Sequence, residues 1–462
     1  MRHCSAVTGI LSLYSSPSAQ PAGTQTTAIL ALALYLTTTA ALAVPSFARQ
    51  TGMACGACHT IYPKLTAFGR DFKLSGYTMA NTKQIEGTGT DKHLKINEIP
   101  PLSAMLQVGF THLNKEIPDQ QNNNVEFPQA LSLYYAGEIS PHMGTFLQVT
   151  YSQPDDNFSF DMADIRYAKR TTLGSRDMLY GVTLNNAPGM EDAWNTTPAW
   201  TFPYTASDTA PGPAASPLVN NFMNVAGLGG YALWDDHWYG AVTFYRSAPL
   251  GQGAPSSAGS VSNVAPYARF AWQGYFSNRA YLEIGTYALY ADFLQGMMAA
   301  GTAGQYDKYT DLALDATYQL PLNNNRLLSM HAIYIHENQT LDSSFAAGLS
   351  SNRNNTLEQF RADANYEFGH DGQITLGYFK TWGDSDPILY RDSTEAVNNS
   401  ASGSPNSAAF LAEVDYLPWE NTKFSLQYTA YTRFNGGNKN YNGAGRNASD
   451  NNTLYLNSWF MW

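Results

Sequence analysis

The residues with the most specific chemistry are Cys55, Cys58 and His59, which form the sequence Cys-x-x-Cys-His. This spacing is the attachment sequence of a c-type haem: two thioether bonds hold the porphyrin and the adjacent His binds the iron on its proximal side. The chain has three cysteines, and the third, Cys4, lies at the start of the chain, before the apolar run described below. The sequence therefore predicts one covalent haem c held by Cys55 and Cys58, with His59 on the iron.

Two other uses of this cysteine pair are a Cys55–Cys58 disulfide and half of a zinc site. A zinc site needs about four ligands, and the chain has no second pair of cysteines. A thioredoxin-like redox centre lies in a βαβ pattern, and the sequence around residue 55 shows none. These observations favour the haem.

The N-terminal residues resemble a secretory leader. An apolar run without charge, residues 28–43, ends in Ala41-Leu42-Ala43, which is an Ala-x-Ala cleavage signal. The run is too short and too rich in Thr for a good membrane-spanning helix. We predict that residues 1–43 are a signal peptide and that the protein is exported, which suits a haem attached outside the bacterial cytoplasm.

The composition narrows the class of protein. The formal net charge is −11, and removal of residues 1–43 takes away only Arg2, which gives −12 and argues against nucleic acid as a partner. Charged residues make up only 14%, while 30 Tyr are present. No segment after residue 44 is long and apolar enough for a transmembrane helix. An exported, Tyr-rich chain of this kind favours an outer-membrane β-barrel.

Apolar and polar residues alternate along many short segments. In residues 311–320, for example, an apolar set alternates with a polar set that carries full charges: Leu312, Leu314, Ala316, Tyr318 and Leu320 against Asp311, Asp315, Thr317 and Gln319. A period of two indicates a half-buried strand, and charges on the polar face suit a wet lumen. We count about sixteen such segments, which begin near residues 102, 126, 143, 157, 176, 223, 237, 264, 278, 307, 326, 355, 372, 407, 422 and 452.

The connections between these segments alternate in length. Tight turns, such as 140–142 and 369–371, alternate with long polar segments at 185–222, 248–263, 292–306, 339–354, 384–406 and 436–451. Short periplasmic turns and long external loops are typical of outer-membrane barrels, and an even number of strands leaves both termini in the periplasm. The last strand is amphipathic and ends in Trp462, which resembles the C-terminal signal of such proteins.

We therefore predict an all-β fold: an antiparallel transmembrane β-barrel of about 16 strands over residues 101–462, preceded by a short helical c-type haem segment. A soluble sandwich or propeller is the alternative. It does not need charges on one face of nearly every strand, and no internal repeat of 40–50 residues suggests a propeller. The barrel contacts outer-membrane lipid through its apolar faces.

Residues 44–100 form the predicted monohaem cytochrome c segment and linker. Leu65, Phe68 and Phe72 recur at helical spacing, which predicts one amphipathic helix, and residues 80–100 are polar and indicate a linker. So short a segment cannot bury a haem by itself, whereas the lumen of a sixteen-stranded barrel is wide enough for an insert. We expect the segment to plug the lumen or to cap its periplasmic mouth.

The distal ligand of the iron is less specified by the sequence. Met105 is the first candidate, because it is an apolar residue on the polar face of the first strand. Met79 and His93 lie closer, in the linker, while Met53 precedes the haem sequence too closely to reach the other side easily. Three basic residues follow His59: Lys64, Arg70 and Lys73. They could form ion pairs with haem propionates, and the simpler role is that of charges on the protein surface.

The N-terminal segment resembles a known family. The run Val44-Pro45-Ser46-Phe47-Ala48-Arg49-Gln50-Thr51-Gly52, the haem sequence, Pro63-x-Leu65, Phe68-Gly69-Arg70-x-Phe72-Lys73 and Gly76-Tyr77 are similar to the fused cytochrome–porins of iron-oxidising bacteria. The barrel similarity, which includes residues 132–137, is looser. The resemblance implies oxidation of extracellular Fe(II), with the electron passed inward to a periplasmic cytochrome or copper protein. Cys55, Cys58 and His59 carry over directly; the distal ligand does not.

Two other functions stay open at this stage. One is a diffusion porin in which the haem is structural or gates the channel, and the other is electron transfer from a different donor or in the outward direction. Acidic residues of the predicted external loops could attract Fe(II), because carboxylate oxygens suit this cation. Charge exposed to solvent is the simpler role for them. These residues are Asp155, Asp156, Glu191, Asp192, Asp384 and Asp386.

Overall fold

The computed structural model describes residues 44–79, 84–86, 95–152, 156–223, 225–247, 260–277, 279–294, 306–323, 325–369, 371–391 and 397–462. Its dominant feature is a series of long antiparallel strands. They are β1 Leu102–Leu113, β2 Asn124–Ser140, β3 Met143–Ser152, β4 Asn157–Leu173, β5 Arg176–Asn185, β6 Ala226–Trp234, β7 Trp238–Arg246, β8 Ala265–Tyr275, β9 Tyr281–Leu294, β10 Asp307–Pro321, β11 Arg326–Leu341, β12 Asn354–Phe368, β13 Gly372–Gly383, β14 Ser407–Trp419, β15 Thr422–Arg433 and β16 Thr453–Met461.

These strands close into a barrel. The sheet has 17 strands, and one of them is the two-residue piece Ser260–Val261, which pairs with β9; sixteen long strands remain. Each long strand pairs with the next, and β16 pairs with β1, where Met461 lies opposite Met105. The predicted sixteen-stranded barrel is confirmed, and every strand begins within three residues of its predicted start.

The two faces of the barrel have opposite character. On β10, Leu312 and Leu314 are 50% and 59% exposed, whereas Asp311 and Asp315 are 0% and 2% exposed. Apolar side chains therefore cover the outside and polar side chains fill the inside, as the alternation predicts. This arrangement is the reverse of a soluble protein and suits a barrel surrounded by lipid.

Three short helices precede the barrel: α1 Pro45–Thr51, α2 Cys55–Cys58 and α3 Ala67–Leu74. Helix α3 is the amphipathic helix that the sequence predicts, and it starts at Thr66 because the Thr66 side chain accepts a hydrogen bond from the Gly69 N–H, 3.1 Å. The predicted linker is partly structured, since Gln84–Glu86 pairs with Lys95–Asn97 in a small hairpin. No helix among the described residues is long and apolar enough to cross a membrane.

The helices within the barrel connections are equally short. They are α4 Leu218–Asn221 and α5 Asp342–Ala346, with single 3₁₀ turns at Pro188–Glu191, Pro198–Trp200 and Ala448–Asn451. Residues 44–79, named here the N-terminal plug, lie at the end of the barrel where the turns are tight. Residues 186–225, named here the inner loop, connect β5 to β6 at the opposite end.

The inner loop corrects one expectation. Residues 185–222 were expected to form an external polar loop, but most of the inner loop is buried, and Trp194 and Phe222 are each 1% exposed. Phe202 lies against Gly377 on the lumen side of β13, at a point where a side chain on Gly377 would stand 2.7 Å from the Phe202 ring. The inner loop therefore folds into the lumen instead of extending away from it.

Candidate functional site

The Cys-x-x-Cys-His sequence forms one helical turn. Cys55–Cys58 is helix α2, and the His59 N–H donates to the Cys55 carbonyl oxygen, 2.9 Å. The chain then folds back, so that the Thr66 N–H donates to the Cys58 carbonyl oxygen, 2.9 Å. A Cβ on Gly69 would stand 2.1 Å from that same oxygen, so helix α3 approaches the turn closely only because residue 69 is glycine.

Cys55 and Cys58 are not joined in a disulfide in this structure. Burial raises the pKa of Cys55, with the neighbouring Glu420 carboxylate adding to the effect, and burial raises the pKa of Cys58 to about 11. Both are therefore neutral near pH 7. The arrangement offers two thiols from one turn, followed directly by an imidazole.

His59 presents a neutral imidazole. Its Nδ1 atom is buried and forms no hydrogen bond of good geometry among the described residues, although the backbone carbonyls of Pro63 and Lys64 lie beside the ring. Burial lowers the pKa of His59 to about 4, so the imidazole is neutral and a nitrogen lone pair is available. A neutral imidazole of this kind can offer a ring nitrogen to a metal ion.

Cys58 and His59 line a central cavity of about 320 Å³, which lies within the size range of small-molecule and cofactor sites. The plug contributes aromatic rings beside them, including Phe47, Phe72 and Tyr77. The barrel wall contributes residues from β1 to β4 and from β16. The inner loop contributes the third side, which includes Met190, Asp192, Asn195, Trp200 and Tyr204.

Met105 lies in the wall of this cavity and is 3% exposed. Its Sδ atom accepts hydrogen bonds from the Tyr134 hydroxyl, 3.3 Å, and from Gln107 Nε2, 3.5 Å. The structure thus brings the first candidate for the distal ligand to the same cavity as His59. Met79 is 41% exposed and does not line the cavity. His93 lies outside the described residues.

Further methionines of the cavity were missed at the level of sequence. Met461, Met162 and Met190 line it. Met53, which was not expected to reach the iron because of its closeness to Cys55, lines it too and is 39% exposed. Met461 could have been found, because the pairing of the first and last strands of a closed barrel places it opposite Met105. Met190 gives no such signal, since it belongs to the inner loop.

The plug is anchored by its basic residues, which were expected on the surface. Lys64 forms an ion pair with Glu367 of β12, 2.8 Å, and the two side chains are 1% and 5% exposed. Arg70 lies over the Tyr281 ring, 4.1 Å from its centre. Lys73 donates to the Asp192 carbonyl oxygen, 2.5 Å, and also lines the cavity. The prediction that these three residues are surface charges is therefore wrong, because each has a partner in the barrel or the inner loop.

The acidic residues of the inner loop are buried as well. Glu191 and Asp192 are 0% and 2% exposed, so they do not lie in an external loop. Burial raises the pKa of Glu191. Burial acts in the same direction on Asp192, but Arg269 and the Thr197 and Trp194 amides hold the pKa of Asp192 below its usual value. These two carboxylates hold the inner loop in place.

The remaining acidic residues have varied environments. Asp386 is 0% exposed and accepts hydrogen bonds from Ser351, so its role is structural. Asp384 accepts from the Thr356 N–H and hydroxyl, 2.8 Å each. Asp156 accepts from the Tyr151 hydroxyl, 2.9 Å. Asp155 lies outside the described residues. No group of three or more His, Cys, Asp or Glu residues suited to a metal ion is found in the described part of the chain.

Comparison with solved structures finds outer-membrane barrels. The chain is similar to OmpF of Salmonella typhi, with 11% identity, a TM-score of 0.46 and coverage of 78% of this chain and 97% of that one. It is also similar to the outer membrane channel DcaP of Acinetobacter baumannii, with 10% identity, a TM-score of 0.43 and coverage of 82% and 100%. A third similar structure is an anion-selective porin from Comamonas acidovorans, with 10% identity, a TM-score of 0.43 and coverage of 78% of this chain and 98% of that one.

These likenesses concern the barrel fold, and nothing about a cofactor or a substrate follows from them. No family model matches the chain. No curated protein matches it either.

Proposed function

We propose that this protein is an outer-membrane electron-transfer protein, which oxidises extracellular Fe(II) at one covalent haem c and passes the electron to a periplasmic cytochrome or copper protein. The observation that carries the proposal is the Cys-x-x-Cys-His turn beside a cavity inside a barrel, with Cys58 and the neutral imidazole of His59 in the cavity wall. It agrees with the resemblance of residues 44–77 to the fused cytochrome–porins.

The residues of the plug and the barrel have separate roles in this proposal. Cys55 and Cys58 would hold the haem by thioether bonds, His59 would be one ligand of its iron, and Met105 is the first candidate for a second ligand. When bound, the haem supplies a one-electron redox centre. Phe47 and Phe72 line the plug side of the cavity that would receive it, and the barrel wall and inner loop line the other sides.

The barrel supports a position in the outer membrane, because its outer face is apolar and its connections alternate in length. In this orientation the tight turns and the plug face the periplasm, and the signal peptide directs export. The plug is then next to a soluble periplasmic acceptor. Fe(III), which precipitates near neutral pH, forms outside the cell.

A diffusion porin is the less favoured function. The plug and the inner loop both lie in the lumen, and both are held by buried contacts to the barrel wall, such as Lys64 with Glu367 and Trp194 with Tyr281. A solute would have to displace one of them. Electron transfer in the outward direction, or from another donor, uses the same residues and differs only in what reduces the haem.

The test uses outer membranes from cells that express the protein together with haem-maturation factors. Fe(II) is added without oxygen while the haem absorption bands are followed. We expect prompt reduction in the wild type and none in Cys58→Ala. A haem that dithionite reduces but Fe(II) does not would contradict Fe(II) as the donor.

A second measurement tests the distal ligand. A Met ligand raises the reduction potential relative to a second His. We therefore expect Met105→His to lower the potential of the haem, measured by a redox titration of its absorption bands. Met79→His is the matched control, because Met79 is exposed and away from the cavity. Equal potentials in the wild type and both variants would exclude Met105.

A further inference from the structure

A second set of oxygen atoms lies beside the central cavity, on the side of the long loops. Glu126, near the start of β2, is 5% exposed, and neither of its carboxylate oxygens forms a hydrogen bond of good geometry among the described residues, although the Thr209 side chain lies close by. An isolated buried carboxylate is costly unless it is protonated or paired with a cation. In the described part of the chain no Lys, Arg or His forms an ion pair with it.

The strand register explains how oxygens gather at this point. Gly109 of β1 lies between Glu126 of β2 and Asn457 of β16, and all three face the lumen. The pairing of β1 with β2 is irregular here, passing from Gln107–Ala130 to Gly109–Glu126. The bulge turns Gln129 to the lumen as well, where it is 4% exposed.

Glycine leaves the space in which these side chains meet. A Cβ on Gly109 would stand 3.1 Å from Glu126 Oε2 and 2.3 Å from Gln129 Oε1. Both oxygens therefore point into the same small space above Gly109, named here the notch. On its other side Asn457 is 2% exposed, and its Oδ1 atom also has no hydrogen-bond partner within the described ranges. The Asn457 amide nitrogen donates to the Tyr455 hydroxyl, 2.9 Å, and that hydroxyl in turn donates to Gln129 Oε1, whose second lone pair is left for a ligand.

The inner loop covers this notch. Gln129 Nε2 donates to the Ala206 carbonyl oxygen, 2.8 Å, and Thr111 donates to Ser207, 2.6 Å. Asp208, which is exposed, lies beside the Glu126 carboxylate. The site thus consists of two carboxylates and two amide oxygens, and Asp208 connects it to solvent on the long-loop side.

We propose that Glu126, Asp208, Gln129 and Asn457 bind a divalent cation. Carboxylate and amide oxygens are the ligands that Mg²⁺, Ca²⁺, Mn²⁺ and other hard or borderline cations take in proteins. A cation supplies the missing partner of Glu126 and occupies the notch over Gly109. The site is two residues along β1 from Gln107, which lines the central cavity, so the separation along the strand is about 7 Å.

The identity of the physiological cation rests on the proposed function. If the protein oxidises Fe(II), this site holds Fe(II) beside the haem cavity on the external side before it gives up its electron. The binding of a cation and the oxidation of Fe(II) are separate claims, and two measurements distinguish them.

The first measurement is Mn²⁺ binding to the purified full-length protein, followed by the loss of the electron paramagnetic resonance signal of free Mn²⁺. We expect one bound ion in the wild type and affinity at least tenfold weaker in Glu126→Gln, which keeps the shape of the side chain. Gly109→Ala should weaken binding similarly, because its Cβ fills the notch without changing the charge. Asp119→Asn is the matched control, since it removes one exposed loop carboxylate.

The second measurement is the rate at which Fe(II) reduces the haem. We expect Glu126→Gln to be at least tenfold slower than the wild type, with reduction by dithionite unchanged. Equal Mn²⁺ titrations in the wild type and Glu126→Gln would overturn the site. Weaker Mn²⁺ binding with an unchanged Fe(II) rate would overturn its role as the Fe(II) site. If the wild type binds Mn²⁺ but Fe(II) does not reduce its haem, the proposed function is overturned and the cation site is still supported.

Discussion

The ion pair between Lys64 of the plug and Glu367 of β12 provides a direct test of how the plug is held. Its atoms are 2.8 Å apart, and its side chains are 1% and 5% exposed. Removal of one partner of a buried pair leaves an uncompensated charge and costs about 3–5 kcal/mol. We expect Lys64→Met to lower the free energy of undocking the plug by this amount, because Glu367 stays buried without its cation.

The assay is amide hydrogen exchange of the plug, measured by mass spectrometry on the folded protein in detergent. Each 1.4 kcal/mol corresponds to a factor of ten, so exchange of the plug amides should become faster by about a hundredfold to a few thousandfold. The hydrogen bonds to follow are those within the plug, for example from the Arg70 N–H to the Thr66 carbonyl oxygen, 3.0 Å.

Two further variants sharpen this test. Arg353→Met removes the exposed ion pair with Asp342, whose side chains are 64% and 37% exposed, and should change the exchange of the plug by less than a factor of two. The double variant Lys64→Met, Glu367→Leu replaces both charges with apolar groups and should restore most of the protection. If Lys64→Met exchanges as slowly as the Arg353→Met control, the plug is not held by this pair and the reasoning fails.

Three other predictions concern the plug and the inner loop. Gly69→Ala places a Cβ 2.1 Å from the Cys58 carbonyl oxygen, so we expect a lower yield of covalent haem on stained gels, relative to total protein. Gly377→Val pushes against Phe202 at a cost of about 1–3 kcal/mol, which should speed amide exchange of residues 200–206 by roughly tenfold to a hundredfold. Burial lowers the pKa of Lys73 to about 8, below its value in the unfolded chain. Between about pH 8 and 10 the unfolded state therefore binds more protons at this residue than the folded state does. Stability against urea should therefore rise with pH across this range, and Lys73→Met should lose that rise.

Each of these three predictions has a control that isolates its cause. Gly240→Ala meets no atom within 4 Å and should leave haem yield and loop exchange unchanged. Lys169 is exposed on β4, so Lys169→Met should retain the rise in stability with pH. Normal haem yield in Gly69→Ala, unchanged exchange in Gly377→Val or a persisting pH effect in Lys73→Met would each contradict the corresponding contact.

The barrel could be predicted from the sequence because its signal is local. Each strand repeats every two residues, and on β10 the alternation of Leu312 and Leu314 with Asp311 and Asp315 predicts both the strand and the face that meets lipid. The haem sequence is likewise complete within five residues, 55–59. A local pattern of this kind needs no knowledge of distant parts of the chain.

The contacts that complete the site are not local, and the sequence did not predict them. The partner of Lys64 is 303 residues further along the chain, so nothing near Lys64 distinguishes a buried anchor from a surface charge. The inner loop is polar and aperiodic in the same way as an external loop, and only the fold shows that Asp192 and Trp194 face inward. Glu126 and Gln129 share one face because of a bulge, which strict alternation does not anticipate.

The central claim is that Cys55 and Cys58 carry a haem whose iron binds His59. The most direct test is mass spectrometry of proteolytic peptides from the protein purified out of cells that have haem-maturation factors. We expect the peptide that contains residues 55–59 to carry one haem, joined by two thioether bonds, and to lose it in the double variant Cys55→Ala, Cys58→Ala. A peptide with two free thiols or a disulfide, from cells that attach haem to another c-type cytochrome, would contradict the account.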